Sequence, residues 1–364
     1  MQDRVIFHID FDYFYAQCEE IRNPELKTKP VVVCIFSDRG TDSGAVATAN
    51  YKAREYGVKS GIPIKFAINR LSDMDDAVFI PADFEYYSQI STFSMKIIES
   101  FADVFEYVGR DEAFIDVTKK TNGSFENASH IAQQLKNDIR NELKMTCSIG
   151  ISPNKLLSKI ASDFKKPDGL THVTPDSVSE FLSKLDIRKI PGIGKKTEVI
   201  LAEMNCKKID DLLRIDVFEL NNKFGRKTGT YLYNAARGID SSLVKERQPP
   251  IQFSKIITLK ENSKNYEFLL KNLSNLCKNV HDIVLKNNKM FRTVGIQFVN
   301  EDLTIKTKSK MLKNSTNNLQ ELEKTTTQLL ADALSDQQLL IRRLGVRVSE
   351  LSDLEGQSNI TNYF

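Results

Sequence analysis

Cysteine and histidine are scarce in this chain of 364 residues. The five cysteines, Cys18, Cys34, Cys147, Cys206 and Cys277, are odd in number, scattered and never spaced C-x-x-C. That spacing argues against a disulfide framework or a thiolate zinc site and predicts free thiols in a reducing compartment. His8, His130, His172 and His281 are isolated in the sequence and read as structural or surface residues, so no cluster is expected to attract a soft metal. A run of eighteen apolar residues is missing, as is a basic-then-apolar leader, which predicts a soluble, cytoplasmic protein with no membrane partner. Internal repeats and low-complexity tracts are also absent. The length exceeds what one core usually serves, so two to four domains are expected.

Charge of one sign is not in large excess overall, at +3, but it is unevenly spread. Residues 1–150 carry 17 Lys and Arg against 23 Asp and Glu; 151–250 carry 18 against 13, and 251–350 carry 16 against 10. An acidic first segment followed by two basic ones suits a polyanion led across basic flanks to carboxylates, although a solvated surface would give the same count.

The carboxylates stand in two β-forming runs. Val5, Ile6, Phe7 and Ile9 read as a buried strand ending at Asp10, and Asp111-Glu112 interrupt a second run from Phe105 to Val117. Carboxylates between such strands are costly unless something positive is paired with them. Two divalent ions roughly 3.5–4 Å apart, shared with a triphosphate, would meet that need and support phosphoryl transfer. Hard Mg²⁺ suits an oxygen-only donor set.

Elsewhere the pattern alternates short strands and helices. Strands are expected at Val31–Phe36 and Cys147–Ile151, and helices at 84–102, 128–144 and Asn154–Phe164, an α+β arrangement. Short helices with Gly-containing turns fill 175–240. Ser241–Pro250 reads as a linker ending in Pro249-Pro250. Strands near Phe253–Leu259, Thr293–Phe298 and Ile341–Val348 with helices near 265–286 and 318–334 make a further α+β unit, and the tail from Leu351 is expected to be unpacked. In the stretch 44–63, small residues allow close approach to the backbone, and Tyr51 and Arg54 share one helical face from which both can donate to phosphate oxygens. The plain alternative for Arg54 is a solvated helix face.

Asp10-Phe11-Asp12-Tyr13-Phe14-Tyr15-Ala16-Gln17, Ala47-Thr48-Ala49-Asn50-Tyr51-x-Ala53-Arg54 and Asp111-Glu112-Ala113-Phe114-Ile115-Asp116 resemble the signature blocks of the Y-family, lesion-bypass DNA polymerases of the DinB type. The similarity continues through Gly150-Ile151-Ser152-x-Asn154-Lys155, Lys159-Ile160-Ala161-Ser162, Lys166-Pro167-x-Gly169, Pro191-Gly192-Ile193-Gly194, Arg237-Gly238-Ile239-Asp240 and Arg342-Arg343-x-Gly345-Val346-Arg347. The resemblance implies an α+β multidomain right-hand polymerase. Its parts would be a palm at 1–13 and 80–173, small fingers at 14–79, a helix-hairpin-helix thumb at 174–240, the linker at 241–250, an α+β little finger at 251–349 and a flexible tail at 350–364. It implies that Asp10, Asp111, Glu112 and the Phe11 carbonyl hold two Mg²⁺ and that Tyr15 is a steric gate against ribose. Tyr51, Arg54, Lys166 and Thr48 would bind the dNTP, with Ile35, Ala45, Ala47 and Gly61 forming a small roof over the nascent base pair. A small roof checks pair geometry loosely, and no proofreading domain is visible, so synthesis would be of low fidelity.

The chain departs from the family where Ser-x-Asp-Glu is usual and Gly109-Arg110-Asp111-Glu112 stands instead. Arg110 either turns inward onto a carboxylate or substrate, or alternates outward along the strand; activity is expected to survive. Gly192 and Gly194 free backbone N–H groups for a DNA phosphate beside Lys195 and Lys196. Lys306, Lys308 and Lys310 alternate and so face one side, and with Arg342, Arg343 and Arg347 would grip primer-template DNA; edge-strand solubility is the plain alternative. Gln357, Ile360, Tyr363 and Phe364 resemble the peptide that docks on sliding clamps of the archaeal and eukaryotic type. A monomer is expected. Two competing readings are a clamp-tethered DNA-binding scaffold without catalysis, which Gly109-Arg110 alone favours, and a metal-dependent nuclease, which leaves Tyr15 and Tyr51 without a role.

Overall fold

The computed structural model describes residues 4–246, 248–335 and 337–354. These fall into two compact units: one from the chain up to Ile35 together with Ala45 onward to the linker, the other from Phe36–Gly44 together with the chain from Gln248 on.

In the first unit a five-stranded sheet runs in the order Val104–Tyr107, Glu112–Asp116, Ile6–Phe11, Cys147–Ser152, Leu170–His172. The Ile6–Phe11 strand is central because it is apolar on both faces. All its residues are buried except Asp10, which its register sets opposite Glu112 on one side and Ser148 on the other. Helices Phe84–Ser100 and Phe125–Leu143 bury apolar faces in the core below it. The helix Lys155–Ser162 lies unusually close to the Cys147–Ser152 strand, and Gly150 is the reason. A Cβ there would stand 2.0 Å from the Ser158 carbonyl oxygen and 2.4 Å from the Ser162 nitrogen.

A smaller sheet of Gly44–Ala49, Val31–Phe36 and Val78–Pro81 carries helices Tyr51–Glu55 and Ile64–Arg70 on its own core. Asn50 caps the first of these. Its buried amide oxygen accepts from the N–H groups of Ala53 (3.1 Å) and Val31 (3.0 Å), and its nitrogen donates to Glu20 (3.1 Å) and to the Lys29 carbonyl (2.9 Å). Both ends of the amide are therefore satisfied, as burial demands. Short helices from Val178 to Ala236 enclose a third core. The linker begins tied down. Arg4 donates to the carbonyls of Asp240 and Ser242 (3.0 Å each), and the Lys245 N–H to Glu106 (2.9 Å). Val244 is buried with Ile6 and Phe114.

The second unit is a four-stranded antiparallel sheet ordered Ile305–Thr316, Lys289–Asn300, Ile341–Ser349, Gln252–Ser263, with helices Tyr266–Lys286 and Leu319–Leu334 over the face that carries Val294, Ile296, Val346 and Val348. The expected unpacked tail is corrected in part. Ser352–Asp353 pairs with Lys289 and Met290, Lys289 bonds Asp353 at 2.5 Å, and the Leu354 N–H reaches the Asn288 carbonyl at 3.0 Å. All five cysteines are buried free thiols, and no helix among the described residues is long and apolar enough to cross a membrane.

Candidate active site

Asp10 and Asp111 line one cavity of about 230 Å³ with Phe11, Tyr15, Thr48, Arg54 and Lys166. In a continuous strand Asp111 and Glu112 would point to opposite faces. Both nevertheless flank Asp10, Asp111 in the same cavity and Glu112 with ligand atoms within 4.8 Å, because Asp111 is not in the strand. It sits in a bend at 109–111 that separates Val104–Tyr107 from Glu112–Asp116, pinned where the Phe11 N–H donates to the Asp111 carbonyl at 2.8 Å. The stretch Phe105 to Val117 is thus a pair of strands with a bend between them.

The carboxylates are held at different potentials. Burial pushes the pKa of Asp10 up, against the opposing pull of Lys166 at 2.5 Å. Burial also raises Asp111, with Glu112 adding to it, and among the described residues Asp111 makes no ion pair. Glu112 is drawn down to about 2, by the hydrogen bond from His8 and by Lys159 against the effect of burial. Two part-buried carboxylates that favour protonation beside an ionised third are short of positive charge. An oxygen donor set of that kind fits a hard divalent cation.

His8 is not isolated, contrary to the sequence reading. It is fully buried with Nε2 3.1 Å from Glu112 and Nδ1 2.7 Å from the Ser162 hydroxyl, and burial keeps its pKa low and the ring neutral. With the proton on Nε2 it donates to Glu112. Ligand atoms of His8, Asp10 and Glu112 lie within 4.8 Å of one another, so one nitrogen does stand among the oxygens. The signal was present, since residues 8 and 10 of one strand share a face. Lys159 was also missed as a site residue. It pairs with Glu112, and Gly150 brings its helix near enough to do so.

Asp12, in contrast, is structural. It is fully buried and accepts from Thr146 Oγ1, Ser148 Oγ and the Asp168 N–H, each at 2.8 Å. Buried Lys136 donates to the carbonyls of Cys147 (3.1 Å) and Gly169 (3.0 Å) and pairs with Asp168 at 2.8 Å. Together they fix the loop that carries Lys166.

On the nucleotide side, Tyr13 adopts a left-handed conformation (φ 37°) that turns the strand directly into the helix Phe14–Arg22 and sets Tyr15 in the cavity wall. Arg54 lies 4.9 Å from the Tyr51 ring centre and donates Nε–H to the Ala49 carbonyl at 2.8 Å. The Tyr51 hydroxyl is buried without a partner, and its pKa is raised to about 12 by burial and by Asp12. A buried donor left unmatched is costly, but Tyr51 lines a separate cavity of about 370 Å³ with Tyr13 and Asn50 rather than the one that holds Asp10 and Asp111. Ala47 joins the cavity wall; Ile35, Ala45 and Gly61 do not line it. Ile35 is 47% exposed and Gly61, at φ +84°, faces open space.

Arg110 turns away from the carboxylates. Its Nε donates to Ser88 Oγ at 3.0 Å and its guanidinium stands 5.3 Å from the Phe84 ring centre. The bend, not strand alternation, aims it there.

Gly192 (φ +87°) and Gly194 open the helix Lys195–Glu203, whose first turn has no side-chain cap, and Lys195 and Lys196 are exposed. Lys306, Lys308 and Lys310 do share a face, but it is the helix-covered one. Their ammonium groups bond Gln337 (3.1 Å), the Asp332 carbonyl and Gln328 (2.9 Å). The open face of the same sheet carries Arg343 and Arg347, opposite Thr258 and Ser254, while Arg342 is half-buried at the strand's start. Gln357, Ile360, Tyr363 and Phe364 lie outside the described residues.

Asp10, Asp111 and Glu112 at the meeting of two strands, with Lys166, Lys159 and Arg54 beside them, offer oxygen donors for a hard cation next to groups that can meet phosphate oxygens. Residues 9–163 match the model of the impB/mucB/samB family, 250–361 match that family's C-terminal domain, and 188–240 match the thumb domain of DNA polymerase iota. DNA polymerase IV of Nitrosopumilus maritimus is 66% identical over the whole of both chains, and that of Methanosarcina acetivorans 40%. Among solved structures, a Y-family chimera of Dbh and Dpo4 aligns with TM-score 0.89 at 34% identity, covering 96% of this chain and 99% of the other. An insertion ternary complex of Dbh DNA polymerase aligns at 0.70 and 35%, covering 96% and 99%. The chain belongs to the Y-family of DNA polymerases, in the DinB or polymerase IV branch. It is a template-directed, lesion-bypass DNA polymerase that depends on divalent metal, with the family's helix-hairpin-helix thumb and little finger.

Proposed function

We propose that Asp10, Asp111, Glu112 and the Phe11 carbonyl hold two Mg²⁺ ions, and that primer-template DNA and a dNTP meet at the cavity they line. When bound, the ions would lower the pKa of the primer 3′-hydroxyl and offset charge on the leaving pyrophosphate. Lys166 leaves Asp10 as the site loads and turns its ammonium to the triphosphate, and Lys159 does the same from Glu112. Tyr51 donates its unmatched hydroxyl, and Arg54 its free guanidinium end, to phosphate oxygens. Thr48 and Ala47 bound the nucleotide, with Ile35, Ala45 and Gly61 as the roof above the base pair. Tyr15 lies under the sugar and excludes a 2′-hydroxyl. Gly192, Gly194, Lys195 and Lys196 grip DNA phosphates, as do Arg342, Arg343 and Arg347, with Lys306 released from Gln337 and Lys308 and Lys310 from the helix Leu319–Leu334. Gln357, Ile360, Tyr363 and Phe364 dock on a sliding clamp, and the protein works as a cytoplasmic monomer.

The observation that carries this reading is the placement of Asp111, which shares a cavity with Asp10 and among the described residues makes no ion pair, beside two carboxylates that each have one. Asp111→Ala should abolish primer extension with Mg²⁺ and four dNTPs while primer-template affinity stays within about twofold. An equal loss of both would remove Asp111 from the chemistry. The scaffold reading loses its support because Arg110 faces Ser88 rather than the carboxylates.

A further inference from the structure

A steric gate discriminates only as well as its ring resists displacement, so what stands behind Tyr15 sets its selectivity. Its ring is stacked on Tyr87 (centroids 4.8 Å, 23°) and meets Phe84 edge-on (5.8 Å, 84°). These two supports differ in stiffness. Tyr87 is fully buried, and its hydroxyl donates to Glu19 at 2.6 Å, so it is fixed at both ends. Phe84 is the first residue of its helix and is 37% exposed, so packing alone leaves it free on the solvent side.

Arg110 covers that side. Its guanidinium lies over the Phe84 ring, and its Nε–H donates to the hydroxyl of Ser88, one turn along the same helix. Two anchors four residues apart on one helical face fix the guanidinium plane, and a cation held over an aromatic face attracts it. Arg110 adjoins Asp111, so the bend that presents a metal carboxylate also clamps the backing of the sugar gate.

We infer that Arg110 is a specificity-positioning residue: through Phe84 it stiffens Tyr15 and so sharpens the choice of deoxyribose over ribose. This rests on Tyr15 being the gate. Selectivity is read as the ratio of kcat/KM for a dNTP to that for the matching rNTP, measured for the full-length wild type, Tyr15→Ala, Arg110→Ala and the double variant. Arg110→Ala should lower the ratio roughly three- to tenfold, since only part of a lost cation–π contact and hydrogen bond is transmitted through Phe84 to the gate. The change should come mainly from a higher kcat/KM for the rNTP. Tyr15→Ala should remove most of the selectivity, and the double variant should match it. Ser88→Ala, which takes away only one hydroxyl, should move the ratio in the same direction by less, and tests the inference should Arg110→Ala fold poorly. An unchanged ratio in Arg110→Ala and Ser88→Ala, or an equal fall on the Tyr15→Ala background, overturns the inference and leaves the gate intact. An unchanged ratio in Tyr15→Ala overturns the gate itself.

Discussion

Replacing Gly150 by alanine tests how tightly the architecture sets the chemistry. The added Cβ would begin 2.0 Å from the Ser158 carbonyl oxygen, 2.4 Å from the Ser162 nitrogen and 2.9 Å from the Ala161 Cβ. Two of the three atoms belong to helix backbone, which cannot swing aside as a side chain can. To reach even a tight contact the helix Lys155–Ser162 must withdraw by about 1 Å or more, because carbon contacts settle only near 3.5–4.0 Å. That withdrawal takes Lys159 from Glu112 and Ser162 from His8, and so loosens the groups that orient Glu112, one of the carboxylates proposed to hold metal. Overpacking of this kind costs about 1–3 kcal/mol, and a 1 Å misplacement near the chemistry costs roughly a hundredfold in rate. Urea unfolding and single-nucleotide insertion kinetics read the two effects separately. The expected result is a drop of about 1–3 kcal/mol in stability and roughly a hundredfold loss in kcat/KM, with primer-template affinity nearly unchanged. Full activity in a stably folded Gly150→Ala protein would refute the link between helix position and the carboxylate site.

Two further substitutions separate the aspartates by role. The pKa of Asp111 is raised on folding, so its ionised form opposes the fold at every pH above that raised value. Asp111→Asn should therefore raise metal-free stability at pH 7 by about 0.5–2 kcal/mol. The gain should shrink as pH falls through the folded pKa, where the wild-type carboxyl is already neutral; destabilisation at pH 7 would reverse the assignment. Asp12→Ala should instead destabilise by about 2–4 kcal/mol, since it leaves buried donors on Thr146, Ser148 and Asp168 unmatched. Isothermal titration of folded Asp12→Ala with Mn²⁺ should show the wild-type stoichiometry, and a lost ion would make Asp12 a ligand.

Much of the fold was legible because local and tertiary preferences agree. Ile6–Phe11 is an apolar β-forming run and became the central strand, and Tyr51 and Arg54, read as sharing a helical face, do lie on one helix, Tyr51–Glu55. What escaped the sequence depends on how elements meet. Alternation alone would turn Arg110 outward, but the bend at 109–111 removes alternation there and aims it at Ser88 instead. Alternation correctly gave Lys306, Lys308 and Lys310 a common face, yet it does not say which face the helices cover. Lys159 reaches Glu112 only because a glycine on a distant strand admits its helix, a contact with no local signature. His8 was within reach of the same two-residue period that placed Asp10, and was overlooked because a lone histidine is usually structural.

The central claim is that three carboxylates and one carbonyl, without the neighbouring imidazole, hold two ions. The most direct measurement is anomalous scattering from Mn²⁺ in crystals of the protein with primer-template DNA and a non-hydrolysable dNTP. Two peaks are expected, held among Asp10, Asp111, Glu112 and the Phe11 carbonyl, with His8 still bonded to Glu112. A single peak, or a peak coordinated by His8 Nε2 with Asp10 and Glu112, would contradict it.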